Sequence, residues 1–378
     1  MKLLINCSTL SGTGVTQVAV SFIKECVNFN EHKYYVFLSP TMTNELKDIE
    51  FPSNFIIYNF DAHPIYGLDG FKIRRQLRQL ENKISPDCVF SVFGPSWWTP
   101  SKPHLAGYAY PHYVYEDSPF FQNISFVQKI KISIFKKMHI TCLKRNSRFF
   151  VTEATDVSKR LISILNCKSE NVFTVSNTYN DYFIQNSNTD KIKLLPEKDK
   201  DEFRFLSLCS FAPHKNLVIL NKVIPLLQEI DSRHIIKFVL TVDPVLFEKL
   251  FEDKVKKSLI NLGRINVDKC PQLYRECDAL FLPTTLECFS ANYPEAMIMK
   301  KPILTSNLSF ATSVCAQGAL YFDPYNPIEI ASVIRGIVGN TTLQEELVRN
   351  AYKQLSLFLT PKERAQKYLD ICQKIIEK

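Results

Sequence analysis

Short apolar runs alternate with polar, helix-compatible stretches along the whole chain. The runs "KLLINCST" (2–9), "KYYVFLS" (33–39), "NFIIYNF" (54–60), "PDCVFSVFG" (86–94), "RFFVTEA" (148–154) and "NVFTVSN" (171–177) read as strands. Between them, "QVAVSFIKECVNF" (17–29) carries a helical apolar stripe through Val18, Phe22 and Cys26, and "GFKIRRQLRQLENKI" (70–84) reads as a basic helix. Residues 181–201 lose periodicity and gain charge, which predicts a linker. The pattern then restarts with "FRFLSLCS" (203–210), "IIKFVLTV" (235–242), "SLINLGRI" (258–265), "ALFLP" (279–283) and "KPILTSN" (301–307). Strands alternating with helices imply parallel sheets covered on both faces. Two successive halves of this kind predict an α/β protein of two Rossmann-like domains facing a central cleft. The expected bounds are 1–180, a linker over 181–201, 202–360, and a C-terminal helix over 361–378 that packs back toward the first domain.

Composition narrows the picture. A chain of 378 residues, 46% of them apolar, exceeds one typical core and fits two domains. No apolar run is long enough to span a bilayer. The start, Met1 to Asn6, turns polar at once and reads as a first strand instead of a signal peptide. Eleven cysteines occur singly, without a CxxC pair or paired His spacing. That argues against a zinc site and a disulfide framework and for a reducing cytoplasm, with the thiols serving as small buried apolar groups.

The net charge of +8 is concentrated. Between Ser118 and Thr152 lie seven basic residues and no acid, leaving 39 Lys and Arg against 38 acids elsewhere. On a helical wheel Val127, Ile130, Ile134 and Met138 share one side, with Lys129, Lys136, Lys137 and Lys144 largely opposite and Lys131 breaking the pattern. One reading is a core-packed helix with a solvated basic face. Another is a helix resting on an anionic cytoplasmic leaflet, each basic residue adding on the order of 1 kcal/mol. No nucleic-acid motif accompanies the charge, so nucleic acid is not an expected partner.

Three loops carry candidate chemistry. "LSGTGVTQ" (10–17) follows a strand and opens a helix, where Gly12 and Gly14 allow close backbone approach by an anion or simply build a tight turn. A dinucleotide fingerprint needs a third glycine where Gln17 stands. "CSFAPHKN" (209–216) places Lys215 at the carboxyl edge of a sheet, before a helix expected near Asn216. There it can hold a diphosphate or be a solvated lysine. "FLPTTLECFSANYPEAM" (281–297) sets Glu287 and Glu295 on either side of a strand-to-helix joint, the helix starting at Asn292 to Pro294. Either Glu295 completes a capping box with Asn292, or both carboxylates accept hydrogen bonds from sugar hydroxyls while Cys288, Phe289 and Ser290 present backbone amides.

The whole segment resembles the donor-site signature of family 4 glycosyltransferases of the GT-B fold, a Glu, seven residues, then a Glu. "NLGRI" (261–265), "LYRECDALFLPTTLECFSANYPEAMIMKKPILTSN" (273–307) and "GALYFDPYNPIEIASVI" (318–334) follow the family order, "LCSFAPHKN" (208–216) is similar to its phosphate loop, and "VFTVSNTYN" (172–180) to the strand leaving its first domain. The resemblance is dense over about 203–340. It implies a UDP- or GDP-linked sugar donor as co-substrate, no cofactor, no metal, and a glycan or lipid-linked acceptor in cell-surface polysaccharide synthesis. By it Glu287 orients sugar hydroxyls, Glu295 binds the ribose, Lys215 neutralises the diphosphate, and Gly263 and Arg264 lie beside the base. Phe289 and Ser290 offer amides, and His112, in "GYAYPHYVYEDSPFF" (107–121), is the candidate sugar-facing histidine. The family's usual arginine and glycine before the lysine are here Ser210 and Cys209. The family retains anomeric configuration, and with no assignable nucleophile a front-face attack is expected. A nucleotide-sugar epimerase of the same fold and a non-catalytic sugar-nucleotide-binding subunit are the alternatives.

Overall fold

The computed structural model describes residues 1–65, 67–185, 193–230 and 234–378. Of the linker expected over 181–201, residues 186–192 lie outside these. The chain forms two compact units. The first holds Met1–Asp117, Phe121–Asn177 and Leu359–Lys378; the second holds Ser118–Phe120 and Thr178–Phe358.

The first unit is built on β1 (Lys2–Cys7), β2 (Lys33–Leu38), β3 (Phe55–Asn59), β4 (Cys88–Ser91), β5 (His104–Gly107), β6 (Phe149–Thr152) and β7 (Val172–Thr174). They form one parallel sheet in the order β3-β2-β1-β4-β5-β6-β7. Alternate side chains of a strand point to opposite faces. Leu3, Ile5 and Cys7 accordingly enter one apolar cluster with helices Thr13–Cys26 and Pro361–Ile376, while Leu4, Tyr35 and Phe37 enter another with helix Gly67–Ile84. Burial on both faces explains why these strands read as continuous apolar runs. The strand β5 was not among the predicted ones. Its four residues begin with a buried His104 and end at Gly107, where a Cβ would fall 1.8 Å from the Val92 carbonyl oxygen.

The second unit is built on β8 (Glu202–Ser207), β9 (Ile235–Leu240), β10 (Leu259–Asn261), β11 (Ala279–Leu282), β12 (Ile303–Ser306) and β13 (Ala319–Phe322), all parallel, in the order β10-β9-β8-β11-β12-β13. Its core stacks Phe205, Phe238 and Phe281 from three adjacent strands under helices Leu220–Ile230 and Pro327–Ile337. In both sheets the first strand lies between the second and the fourth. The connections reverse direction there, between β1 and β4 and between β8 and β11, and open α/β sheets hold ligands at the carboxyl side of such a switch point.

The last helix starts with a full capping box: Glu363 N–H donates to Thr360 Oγ1 at 3.3 Å, and Thr360 N–H donates to Glu363 Oε2 at 2.8 Å. Its buried Arg364 donates to Asn177 Oδ1 and, at 2.7 Å, to Ser21 Oγ, fixing the helix within the first unit. All eleven cysteines are free thiols, eight of them buried.

The charged helix departs from one of its two readings. Helix Phe126–Asn146 does not bury its apolar side: Phe126, Val127, Ile130 and Ile134 are 75%, 73%, 45% and 63% exposed. Among the four lysines, Lys136 is half-buried and paired with Glu116 at 2.8 Å. The core-packed helix is therefore corrected to one whose apolar and basic residues both face outward over its first three turns.

Candidate functional site

The loops after β8 and β11 emerge side by side at the switch point of the second sheet. After β8 the chain makes a 3-10 turn, Pro213–Lys215, then passes through Asn216 at φ +53°. Asparagine tolerates that left-handed conformation better than most residues. Its buried side chain also anchors the loop, Nδ2 donating to the Pro324 carbonyl at 2.7 Å. A second 3-10 turn, Leu217–Ile219, intervenes before helix Leu220–Ile230, so the helix expected near Asn216 begins four residues later.

After β11, Thr284 and Thr285 lash the two loops together. The Thr285 N–H donates to the His214 carbonyl at 2.7 Å, and the hydroxyls of Thr285 and Thr284 lie 3.0 and 3.1 Å from the same oxygen. This sets Lys215 against Glu287, where the ammonium donates to Oε1 and forms an ion pair. Burial works against the Lys215 charge, and Glu287 beside it more than offsets that, so the lysine titrates above its ordinary value. Cys209 lies close enough to interact electrostatically with both. Burial pushes its thiol up to about 11 against the opposing pull of Lys215, so it stays protonated at neutral pH.

The second carboxylate is held differently. Helix Asn292–Ile298 has Ala291 as its N-cap, with no side-chain cap bond. The capping box of Asn292 and Glu295 is thus corrected: Asn292 Nδ2 donates to the Leu208 carbonyl at 2.9 Å, and its Oδ1 accepts from Ser290 Oγ at 3.2 Å. Freed from capping, Glu295 accepts from the Tyr274 hydroxyl at 3.1 Å. Burial raises its carboxyl to about 7, with the Tyr274 bond lowering it in part. Sequence reasoning missed Tyr274, Thr284 and Thr285. Each lies within the segment quoted for the resemblance, but only the strand order shows that they face the same loops.

Cys288, Phe289 and Ser290 are buried in the loop between the carboxylates. Gly263 follows β10 on the same carboxyl edge, at φ +68°, a conformation that calls for glycine, and Arg264 beside it is exposed. Two strand spacings, roughly 10 Å, separate β10 from β8, a separation a nucleoside can bridge from base to diphosphate. Glu287, Glu295, Lys215, Cys288, Phe289, Ser290, Gly263 and Arg264 therefore share one edge of one sheet. Gly12, Gly14 and His112 belong to the first unit. Gly12 caps helix Thr13–Cys26 with φ −89°, and a Cβ on Gly14 would meet nothing within 4 Å. Neither glycine is required by the turn, which corrects the tight-turn reading. His112 sits in the short helix Pro111–Val114 that follows β5. Among the described residues no group of three His, Cys, Asp or Glu side chains is placed to hold a metal ion, and no helix is long and apolar enough to cross a membrane.

The two-sheet architecture is that of the GT-B fold. A glycosyltransferase from Rickettsia africae superposes with a TM-score of 0.72 at 15% identity, over 100% of this chain and 99% of that one. Anabaena HepE, solved in complex with UDP-glucose, gives 0.71 at 13% identity over 99% and 100%. Residues 188–354 match the family model of group 1 glycosyl transferases. In sequence the chain is 24% identical over 232 residues to the O-antigen chain mannosyltransferase RfbU of Salmonella typhimurium, a match covering 59% of each protein. The chain thus spans somewhat over half the length of that relative.

Proposed function

We propose that this protein is a retaining glycosyltransferase that moves a sugar from a UDP- or GDP-linked donor to a glycan or lipid-linked acceptor, without a metal. The observation that carries the reading is the cluster of Lys215, Glu287 and Glu295 at the β8–β11 switch point, inside a group 1 glycosyl transferase segment. The names of two relatives support it: HepE was solved with UDP-glucose, and RfbU is a mannosyltransferase of O-antigen chains.

In this reading Lys215 and Glu287 neutralise each other until the donor arrives. Lys215 then turns to the diphosphate and Glu287 to the sugar hydroxyls, while Glu295 takes the ribose. The amides of Phe289 and Ser290 add fixed donors near the phosphate, where preorganised dipoles stabilise developing charge. The bond from C1 to the phosphate oxygen breaks, the acceptor oxygen joins C1 on the same face, and the acceptor proton passes to the leaving diphosphate. Neither glutamate is free to act as a covalent nucleophile, one being ion-paired and the other bound to Tyr274. His112 is assigned to the sugar from the first unit on the resemblance.

The test is nucleoside diphosphate release from UDP- and GDP-sugars in EDTA, with and without an acceptor extract. Release that requires the extract and survives EDTA is expected. Product formed without acceptor would mark an epimerase, and no consumption under any condition would mark a binding subunit.

The exposed helix Phe126–Asn146 supports a second element of the proposal, that the protein rests on an anionic membrane surface. Phe126, Val127, Ile130 and Ile134 are outward apolar groups interleaved with exposed Lys129, Lys131 and Lys137, and basic residues near an anionic surface are attracted to it. Sedimentation with vesicles containing phosphatidylglycerol is expected at low salt, falling at least tenfold in Val127→Asp/Ile134→Asp with donor turnover unchanged. Equal sedimentation of wild type with neutral vesicles would contradict it.

A further inference from the structure

The first unit's sheet carries a second concave site at its opposite, amino end. Residues leading into β5, β6 and β7 line a groove of about 770 Å³, walled by the last turn of helix Phe126–Asn146 and the turn after helix Thr155–Leu165. Its rim presents Lys102, Lys144, Arg145, Arg148 and Lys168, and no Asp or Glu side chain lines it. Lys378, the last residue, also lines it, and like charges brought together repel one another, a repulsion that a bound anion relieves.

The groove also holds a committed donor. Asn146 is 4% exposed, and its Oδ1 accepts from Thr99 Oγ1 at 3.0 Å and from Arg145 Nε at 3.3 Å. Two donors on that oxygen fix the amide's orientation, so Nδ2 is the remaining atom, and it has no partner. A buried N–H without an acceptor is destabilising, a cost that a ligand oxygen would recover. Asn171, 6% exposed, offers the complementary orphan, an Oδ1 with no donor, suited to a hydroxyl. His104 adds no charge. Its Nδ1 bonds the Asn146 carbonyl at 2.7 Å and its Nε2 the Ser91 hydroxyl at 2.9 Å, both of them inside the fold.

We propose that this groove is a binding site for a phosphate group borne by a hydroxylated molecule, separate from the donor site of the second unit. Phosphate matches it because three oxygens can accept from Asn146 Nδ2 and from the guanidinium forks of Arg145 and Arg148 together. The phosphate can come from a soluble phosphorylated compound or from a lipid headgroup.

The experiment titrates inorganic pyrophosphate into the full chain carrying Lys215→Ala, which removes the proposed donor-site cation, by isothermal calorimetry. One pyrophosphate per chain is expected. Binding should weaken at least tenfold in Asn146→Asp, which sets a carboxylate where Nδ2 stands, and likewise in Arg148→Gln, an exposed change that leaves the fold alone. No binding in the Lys215→Ala chain, or equal binding in both added variants, overturns the proposal whatever the sugar-transfer assay gives. Phosphatidylglycerol vesicles with the Val127→Asp/Ile134→Asp chain separate the sources. Vesicle binding that pyrophosphate displaces and Arg148→Gln abolishes assigns the lipid headgroup, whereas pyrophosphate binding without vesicle binding assigns the soluble phosphate.

Discussion

Lys215→Ala is expected to lower kcat/KM for sugar transfer by about a thousandfold, or roughly 4 kcal/mol. Two effects combine. The leaving diphosphate loses its nearest cation, and Glu287, with only 12% of its side chain exposed, loses its partner. A partly buried carboxylate left alone repels the incoming phosphate as well as destabilising the fold. The effects separate in a double-mutant cycle read by steady-state kinetics and thermal melts. Lys215→Ala should melt below wild type. Lys215→Ala/Glu287→Ala should recover much of the melting temperature and none of the turnover. A Lys215→Ala enzyme that turns over at the wild-type rate would show that the cation does not face the diphosphate.

Glu295→Gln should make the ligand-free protein more stable at pH 8 while weakening donor binding at least tenfold. The sign follows from the raised carboxyl. It titrates near 7 in the fold against a reference of 4.5, because burial penalises its charge. Below about pH 4.5 the folded and unfolded chains both carry the proton, and nothing is lost. As pH rises toward 7 the unfolded chain releases its proton first, so the fold loses stability, on the order of 3 kcal/mol once pH exceeds the folded value. Glutamine carries no charge to bury and keeps a hydrogen-bond acceptor for Tyr274. Melting curves at pH 5 and pH 8 should therefore diverge between wild type and variant only at the higher pH. The ribose contact loses its ionised acceptor, which raises KM more than it lowers kcat, since that contact changes little between ground and transition states. Equal melting at both pH values would mean that Glu295 is solvated.

The sheets were legible because both faces of each are covered: strands such as "KYYVFL" and "ALFL" are apolar throughout and stand out from their flanks. Two strands, β5 and β13, were not. β5 begins with a histidine and ends with a glycine, and its strand character comes from pairing with β4 and β6, a long-range property. The same distinction applies at the site. Glu287, Glu295 and Lys215 were singled out through the family resemblance, type and spacing alone leaving them open, but their hydrogen-bond partners were not. Spacing also left a capping box for Asn292 open, and the Leu208 carbonyl that claims its side chain lies 84 residues earlier in the chain. The wheel of helix Phe126–Asn146 grouped Val127, Ile130, Ile134 and Met138, whereas the residues it buries are His139, Leu143 and Asn146, and no local pattern says which side another element covers.

In the proposed reading the β8–β11 edge holds the diphosphate of a nucleotide-sugar. The most direct measurement is calorimetric titration of UDP and GDP into the wild-type chain and into Lys215→Ala. Saturable binding of one of the two at one site per chain, weakened at least a hundredfold in the variant, is the predicted result. Binding of neither nucleotide to wild type, or equal affinity for Lys215→Ala, would contradict it.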